Sequence, residues 1–195
     1  MRLGSVAGIV PVPLDSVDST AAALAARIVA ARGPESAHDP GVAQAALDAA
    51  ELAHDQGAGL VAVAEHPSAD PGILIGMVVT ADVPLGEDAA AQVRRLMTDS
   101  AGSEIREVTE SRTGRGYPVV IAERMLVGSG ERAACQVQAV VVDPGGRRLA
   151  VLTLHSITGR GWLELAALLG RLVSTVDFGA RVPGQPPAVP STLSR

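Results

Sequence analysis

The stretch from Ala133 to Ser156, AACQVQAVVVDPGGRRLAVLTLHS, decides the fold class. Two aliphatic runs, 133–142 and 148–156, flank the turn sequence Asp143-Pro144-Gly145-Gly146. Proline and glycine in such a turn reverse the chain, so the stretch predicts a β-hairpin. In the first run the apolar face carries Cys135, Val137, Ala139 and Val141, and the other carries Gln136, Gln138 and Val140. We therefore expect a core face and a partly wet face.

Further strand-like runs surround this hairpin. They are predicted at 3–14, 60–64, 73–80, 103–110 and 117–127. The runs at 60–64 and 73–80 are joined by the proline-containing loop 66–72, which is typical of a second hairpin. The sequence thus predicts a mainly antiparallel sheet of six or seven strands.

Four helices are predicted around the sheet. Asp18-Ser19-Thr20 is an N-cap signal for a helix that ends near Arg32, and Asp39-Pro40 begins a second helix that reaches Gly57. A third begins at Pro84–Asp88 and ends near Gly102, with the apolar face Ala89, Val93, Leu96 and Met97. The last follows Thr158–Gly161 and carries an apolar stripe of Trp162, Leu165, Leu168, Leu169, Leu172 and Val176.

These patterns predict an α+β fold in which helices flank the sheet as an αβα sandwich. At 195 residues the chain can bury one full-sized core, so we expect a single domain over 1–178. The segment 179–195 contains four prolines and no periodic apolar residues, which predicts a flexible tail.

The charge of the chain disfavours nucleic acid as a partner. The formal net charge is −5, and the 16 basic residues are all arginines spread along the chain rather than clustered. This lysine-free, alanine-rich usage resembles the coding bias of a high-GC bacterium. Aromatic residues make up 2% of the chain, which disfavours base stacking and many small-molecule pockets.

The cysteine content and the apolar runs predict a cytoplasmic location. Cys135 is the single cysteine and has no partner for an internal disulfide, as expected in a reducing compartment. The N-terminal apolar run is broken by glycines and prolines, so we expect no secretory signal. No window reaches the roughly 18 apolar residues of a membrane span.

No candidate catalytic, cofactor-binding or metal site emerges from the motifs. His38, His54, His66 and His155 are too far apart in sequence for a local zinc motif. Ser129 lies in Gly128-Ser129-Gly130, which lacks the flanking glycines of a nucleophile elbow. Cys135 lies in the middle of a predicted strand, where a thiol is normally inert. An enzyme reading requires His155, Glu123 and an arginine to meet in space.

A repeated phrase, Thr-Gly-Arg-Gly followed by an aromatic residue, occurs at Thr113–Tyr117 and Thr158–Trp162. Such a loop can offer backbone N–H groups and an arginine to an anion, especially where the second copy opens a helix. The simpler interpretation is two glycine turns that begin a strand and a helix.

The order of elements, ending in Val173-Ser174-Thr175-Val176-Asp177-Phe178, resembles the Mog/PsbP-like superfamily over residues 40–178. That resemblance implies an αβα sandwich around an antiparallel sheet that serves as a noncatalytic docking module. It supplies no catalytic residues, and the segment 1–32 departs from the pattern.

The hypothesis favoured by the sequence is therefore a noncatalytic protein-interaction or accessory module without a cofactor, for example in a bacterial secretion system. The alternative is a small-ligand-binding protein with an aliphatic cavity between the sheet and the C-terminal helix. Homo-oligomers remain open, because strand edges and an apolar helix stripe are both available.

Overall fold

A seven-stranded antiparallel sheet organises the chain in the computed structural model, which describes residues 1–99, 105–127 and 133–179. The spatial order is β1-β2-β3-β7-β6-β5-β4, and every neighbouring pair is antiparallel. The strands are β1 Ile9–Pro11, β2 Leu60–Ala64, β3 Gly72–Thr80, β4 Ile105–Arg112, β5 Pro118–Val127, β6 Ala133–Val142 and β7 Arg148–Ser156. Both predicted hairpins are present.

Four helices flank the sheet: α1 Val17–Arg32, α2 Pro40–Asp55, α3 Ala89–Asp99 and α4 Trp162–Ser174. A short 3-10 helix, Pro34–His38, joins α1 to α2. The α+β fold with an antiparallel sheet between helices is confirmed. No helix in the described ranges is both long and apolar enough to span a bilayer.

The ends of several elements differ from the sequence prediction. Ser16, rather than Asp18-Ser19-Thr20, caps α1, because its Oγ accepts a hydrogen bond from the Ser19 N–H, whereas Thr20 is buried and donates to the Pro13 carbonyl. The first strand has three residues rather than twelve, since Pro11 and Pro13 limit ladder pairing. Leu96 is 61% exposed and does not join the buried face of α3.

Helices divide unequally between the two faces of the sheet. On one face, the three-helix face, α1 and α2 cover Val61, Val63, Ile73 and Ile75, and α3 covers Val120, Ala122, Val140 and Val142. On the other, the α4 face, α4 packs on alternate residues of the same strands, among them Leu74, Val137, Ala139, Leu152 and Leu154. This alternation confirms the predicted faces of the hairpin.

Helix α4 is held by four buried leucines, Leu165, Leu168, Leu169 and Leu172. Each buried side chain contributes about 2 kcal/mol of transfer free energy, so the position of α4 is strongly determined. On the same face, Glu107, Thr109 and Ser111 of β4 are exposed. The β4 side of the α4 face is therefore bare in the described residues.

Two predicted features lie outside the described residues. These are the turn around Ser129 and nearly all of the tail, from residue 180 to residue 195.

Candidate functional site

The two Thr-Gly-Arg-Gly turns fasten the two ends of α4. In the second copy, Thr158 Oγ1 donates to Asp70 Oδ2 at 2.8 Å, and Arg160 Nη1 lies 3.7 Å from Asp70 Oδ1. Gly161 has φ +67°, and a Cβ there would lie 2.3 Å from Ala69 Cβ. The N-terminus of α4 is thereby fixed to the β2–β3 loop.

The first copy acts at the other end of α4. Arg115 Nη2 lies 3.6 Å from Asp177 Oδ2, just beyond the helix, and Arg2 Nη2 lies 3.3 Å from the same oxygen. The Gly179 N–H has the largest effect on the pKa of Asp177 and lowers it. Burial opposes this, but the Arg115 and Arg2 guanidinium groups and Tyr117 add to the lowering, so the pKa lies below its ordinary value. Both arginines of the repeated phrase thus have a carboxylate of this chain beside them, and both turns have a structural role.

Between its fixed ends, one flank of α4 borders a groove that we call the helix–sheet groove. It has a volume of about 220 Å³ and lies between α4 and strands β4, β5 and β6. Its floor includes Ile121 and Val137, and its helical wall includes Leu163, Ala166, Gly170 and Val173. Leu163 is 80% exposed, the highest value among the large exposed apolar residues of the described part.

Carboxylates lie along the strand side of this groove. Glu107 and Glu123 line it, and Glu123 accepts a hydrogen bond from the indole Nε1–H of Trp162. Thr109 Oγ1 donates to Glu107 at 3.4 Å. Trp162 is the only tryptophan of the chain, so its fluorescence reports on this groove. The groove combines an apolar floor and wall with an acidic rim.

The opposite flank of α4 borders a larger space, the α4–loop cleft, of about 700 Å³. Arg27 of α1 and Glu65, at the end of β2, form a two-point ion pair across it, with Nε–Oε1 at 2.5 Å and Nη2–Oε2 at 2.9 Å. His66 and Arg171 also line it. Four charged or titratable side chains, Arg27, Glu65, His66 and Arg171, thus line this cleft.

The residues that the enzyme hypothesis combines, His155, Glu123 and an arginine, do not all meet at one place. His155 pairs with Gln136, and Gln136 pairs with Arg124, so these three side chains project from the three-helix face. Glu123 is on the α4 face, in register with Val137. The sheet therefore separates Glu123 from His155, while an arginine does share the face of His155. Burial lowers the pKa of His155 below its ordinary value of 6.5.

The remaining candidate residues occupy separate places. His54 Nε2 lies 3.1 Å from Thr20 Oγ1 between α2 and α1, and His38 is in the exposed 3-10 helix. Cys135 is buried in β6. In the ranges 1–99, 105–127 and 133–179, no three histidine, cysteine or acidic side chains form a group suited to a metal ion.

Sequence reasoning missed both flanks of α4. Leu163, Ala166 and Gly170 lie beside the predicted buried stripe, and their spacing of three and four residues was a usable signal for a second apolar face. The Arg27–Glu65 pair had no local signal, because 38 residues separate its partners.

Comparison with known proteins assigns no family. The sequence matches no protein-family model, and a search of curated proteins finds no relative of this chain. The resemblance to the Mog/PsbP-like superfamily stays a prediction.

Proposed function

We propose that this protein is a noncatalytic protein-interaction or accessory module, whose helix–sheet groove binds an amphipathic, basic helix of a partner protein. The observation that carries the proposal is the bare β4 side of the α4 face beside the exposed Leu163. A helix laid there completes a layer that α4 begins. Sheets that are covered by helices on both faces bury more apolar surface than half-covered ones.

The wall of the groove suits the close approach of a helix. Ala166 and Gly170 are four residues apart, so they lie one above the other on the same side of α4. Small residues at such positions bring helix axes toward the short end of the usual 8–10 Å separation. From Leu163 to Val173 the wall spans about 15 Å, which matches roughly three turns of a partner helix.

The charge of the groove favours basic flanks on that helix. Glu107 and Glu123 line the groove, and the whole chain has a formal net charge of −5. Complementary charges raise association rates and exclude acidic competitors. We therefore expect an apolar stripe on the partner, flanked by arginine or lysine. A cytoplasmic accessory of a bacterial secretion system is one setting for such a module.

The test is a selection of displayed helical peptides against the full chain, followed by titration of selected peptides with Trp162 fluorescence as the readout. We expect enriched peptides to combine an apolar stripe with basic residues and to shift the Trp162 emission. Leu163→Glu is expected to weaken binding by at least about tenfold, which corresponds to 1.4 kcal/mol. Glu107→Gln is expected to weaken it less and to reduce its dependence on salt.

The matched control is Leu96→Glu, which places the same charge on an exposed leucine of α3. Selected peptides that bind Leu163→Glu and Leu96→Glu equally well would overturn the proposal. So would a concentration-dependent dimer of the free chain that Leu163→Glu disrupts, because a second copy would then occupy the groove. A Trp162 response to small aliphatic molecules but to no helix would instead favour a small-ligand-binding protein.

A further inference from the structure

The α4–loop cleft is a ready-built pocket on the side of α4 opposite the helix–sheet groove. Its walls come from the start of β1, from α1, from the β2–β3 loop and from α4. A volume of about 700 Å³ lies within the range of small-molecule sites. The function proposed above makes no use of this cleft.

The local backbone keeps the cleft in shape. Gly8 has φ +90°, and a Cβ there would lie 2.6 Å from the Glu65 carbonyl oxygen and 3.0 Å from Leu168 Cδ2. Pro67 and Pro71 restrict the β2–β3 loop, which Thr158 holds through Asp70. A pocket that is already formed binds its ligand without a large ordering cost.

Two side chains of the cleft, His66 and Arg171, can donate hydrogen bonds to a ligand. Nδ1 of His66 accepts a hydrogen bond from the Ser68 N–H at 3.2 Å, so the neutral ring carries its proton on Nε2 and donates from there. Arg27 is neutralised by Glu65. Arg171 is paired with no carboxylate in the part of the chain that the structure describes. The cleft thus has an excess of one positive charge in an acidic protein.

The remaining wall is aliphatic. Val10, Ala31 and Leu168 line it together with prolines and further alanines, and no aromatic side chain other than the His66 imidazole is among the lining residues. Such a wall suits a short saturated chain better than a planar ring, since it offers no indole, phenol or phenyl face for stacking. The hydrogen-bond donors and the aliphatic wall together suit a ligand with one anionic end and a small aliphatic body.

We propose that the α4–loop cleft binds a small aliphatic carboxylate. Its carboxylate accepts hydrogen bonds from the Arg171 guanidinium and from Nε2–H of His66, and its hydrocarbon chain lies against Leu168 and Ala31. The Arg27–Glu65 pair forms a polar wall of the site. Because its charges cancel, it leaves only the positive charge of Arg171 to balance the negative charge of the ligand. A guanidinium and an imidazole N–H are both suited to carboxylate oxygens.

The test uses the full chain, with butyrate and hexanoate as probes and calorimetry together with amide chemical shifts as readouts. We expect both carboxylates to bind, hexanoate more tightly, and the neutral hexanamide to bind at least about tenfold more weakly because it offers no charge to Arg171. Arg171→Gln is expected to weaken hexanoate binding by a similar factor. Arg95→Gln, an exposed arginine of α3, is the matched control and is expected to leave binding unchanged.

A second variant tests the volume of the cleft. Ala31→Leu places an aliphatic side chain in the space of the hydrocarbon chain and is expected to abolish the preference for hexanoate over butyrate. The proposal is overturned if neither carboxylate binds, if inorganic phosphate binds as tightly as hexanoate, or if Ala31→Leu leaves the preference intact. Leu163→Glu is expected to leave carboxylate binding intact, which separates this site from the helix–sheet groove.

Discussion

The Oγ1 hydroxyl of Thr158 donates a hydrogen bond to Oδ2 of Asp70 at 2.8 Å and so joins two loops that are 88 residues apart. The same hydroxyl accepts from the Arg160 N–H at 3.2 Å. Because Thr158 precedes α4 and Asp70 precedes β3, this contact sets where α4 begins above the sheet. Both the helix–sheet groove and the α4–loop cleft depend on that placement.

The first prediction concerns this hydrogen bond. Thr158→Val keeps the shape of the side chain but removes the donor to Asp70 and the acceptor for Arg160, so we expect the free energy of unfolding to fall by about 1–2 kcal/mol. Urea denaturation measures the change. Thr98→Val, at an exposed threonine of α3 that donates within its own helix, is the control and should cost less than about 0.5 kcal/mol. Equal costs for the two variants would remove the role assigned to Thr158.

The second prediction concerns the close contact at Gly161. Gly161→Ala combines a left-handed backbone with a Cβ only 2.3 Å from Ala69 Cβ. Gly57→Ala has a similar φ of +62° but meets no heavy atom within 4 Å, so it isolates the backbone cost of about 1–2 kcal/mol. We expect Gly161→Ala to cost at least about 1 kcal/mol more than Gly57→Ala in thermal or urea unfolding. A smaller difference would show that the loop moves away freely.

The third prediction is an acid dependence at the β6–β7 turn. Burial alone would raise the pKa of Asp143, but hydrogen bonds from the Arg148 N–H, the Arg148 guanidinium and the Arg147 N–H outweigh it and hold the pKa below its ordinary 3.8. The unfolded chain therefore takes up this proton first on acidification. The stabilisation is present above about pH 4 and is lost as the pH falls through the folded-state value.

Asp143→Asn is accordingly expected to lower the free energy of unfolding by about 1–3 kcal/mol at neutral pH, because two backbone donors and a guanidinium lose their carboxylate. The loss should shrink as the pH approaches 3. Urea unfolding across this pH range measures it, with the exposed Asp82→Asn as control. A cost that does not vary with pH would contradict the assignment.

The fourth prediction concerns His155. Burial lowers its pKa below 6.5, so at pH values just below 6.5 the unfolded chain binds a proton that the folded chain does not. Stability should therefore fall as the pH decreases from 6.5 toward the folded-state pKa, and should level off above 6.5. His155→Gln is expected to flatten this part of the stability profile. His38→Gln, at an exposed histidine, should leave the slope as it is; an unchanged slope in His155→Gln would refute the prediction.

Much of the secondary structure follows from local patterns. Alternation over Cys135–Val141 placed one face of β6 in the core, and the Asp143–Gly146 turn placed the hairpin, because both signals act between near neighbours in the chain. The errors lie at ends. The capping of α1 by Ser16 depends on the tertiary contacts of Thr20. The three-residue length of β1 depends on prolines, whose effect appears only where this segment pairs with β2.

The candidate sites were much less accessible to such reasoning. Side chains alternate along a strand, so Glu123 and Arg124 of β5 are predicted to lie on opposite faces of the sheet. The alternation does not say which of them shares a face with His155. That depends on the register across β6, which sets strands into contact over long separations in sequence. The carboxylate partners of Arg115 and Arg160 could not be predicted either, because each ion pair joins segments that are far apart in the sequence.

By itself the sequence determined the four helices, the two hairpins and the core face of β6, because periodicity and turn chemistry are local properties. Only the tertiary structure decided that β3 pairs with β7, that β4 forms an outer edge, and that α4 covers one part of its face and leaves the β4 side bare. Those outcomes arise from packing between segments far apart in the chain. The helix–sheet groove and the α4–loop cleft lie along the two flanks of α4, where its packing against the rest of the fold ends.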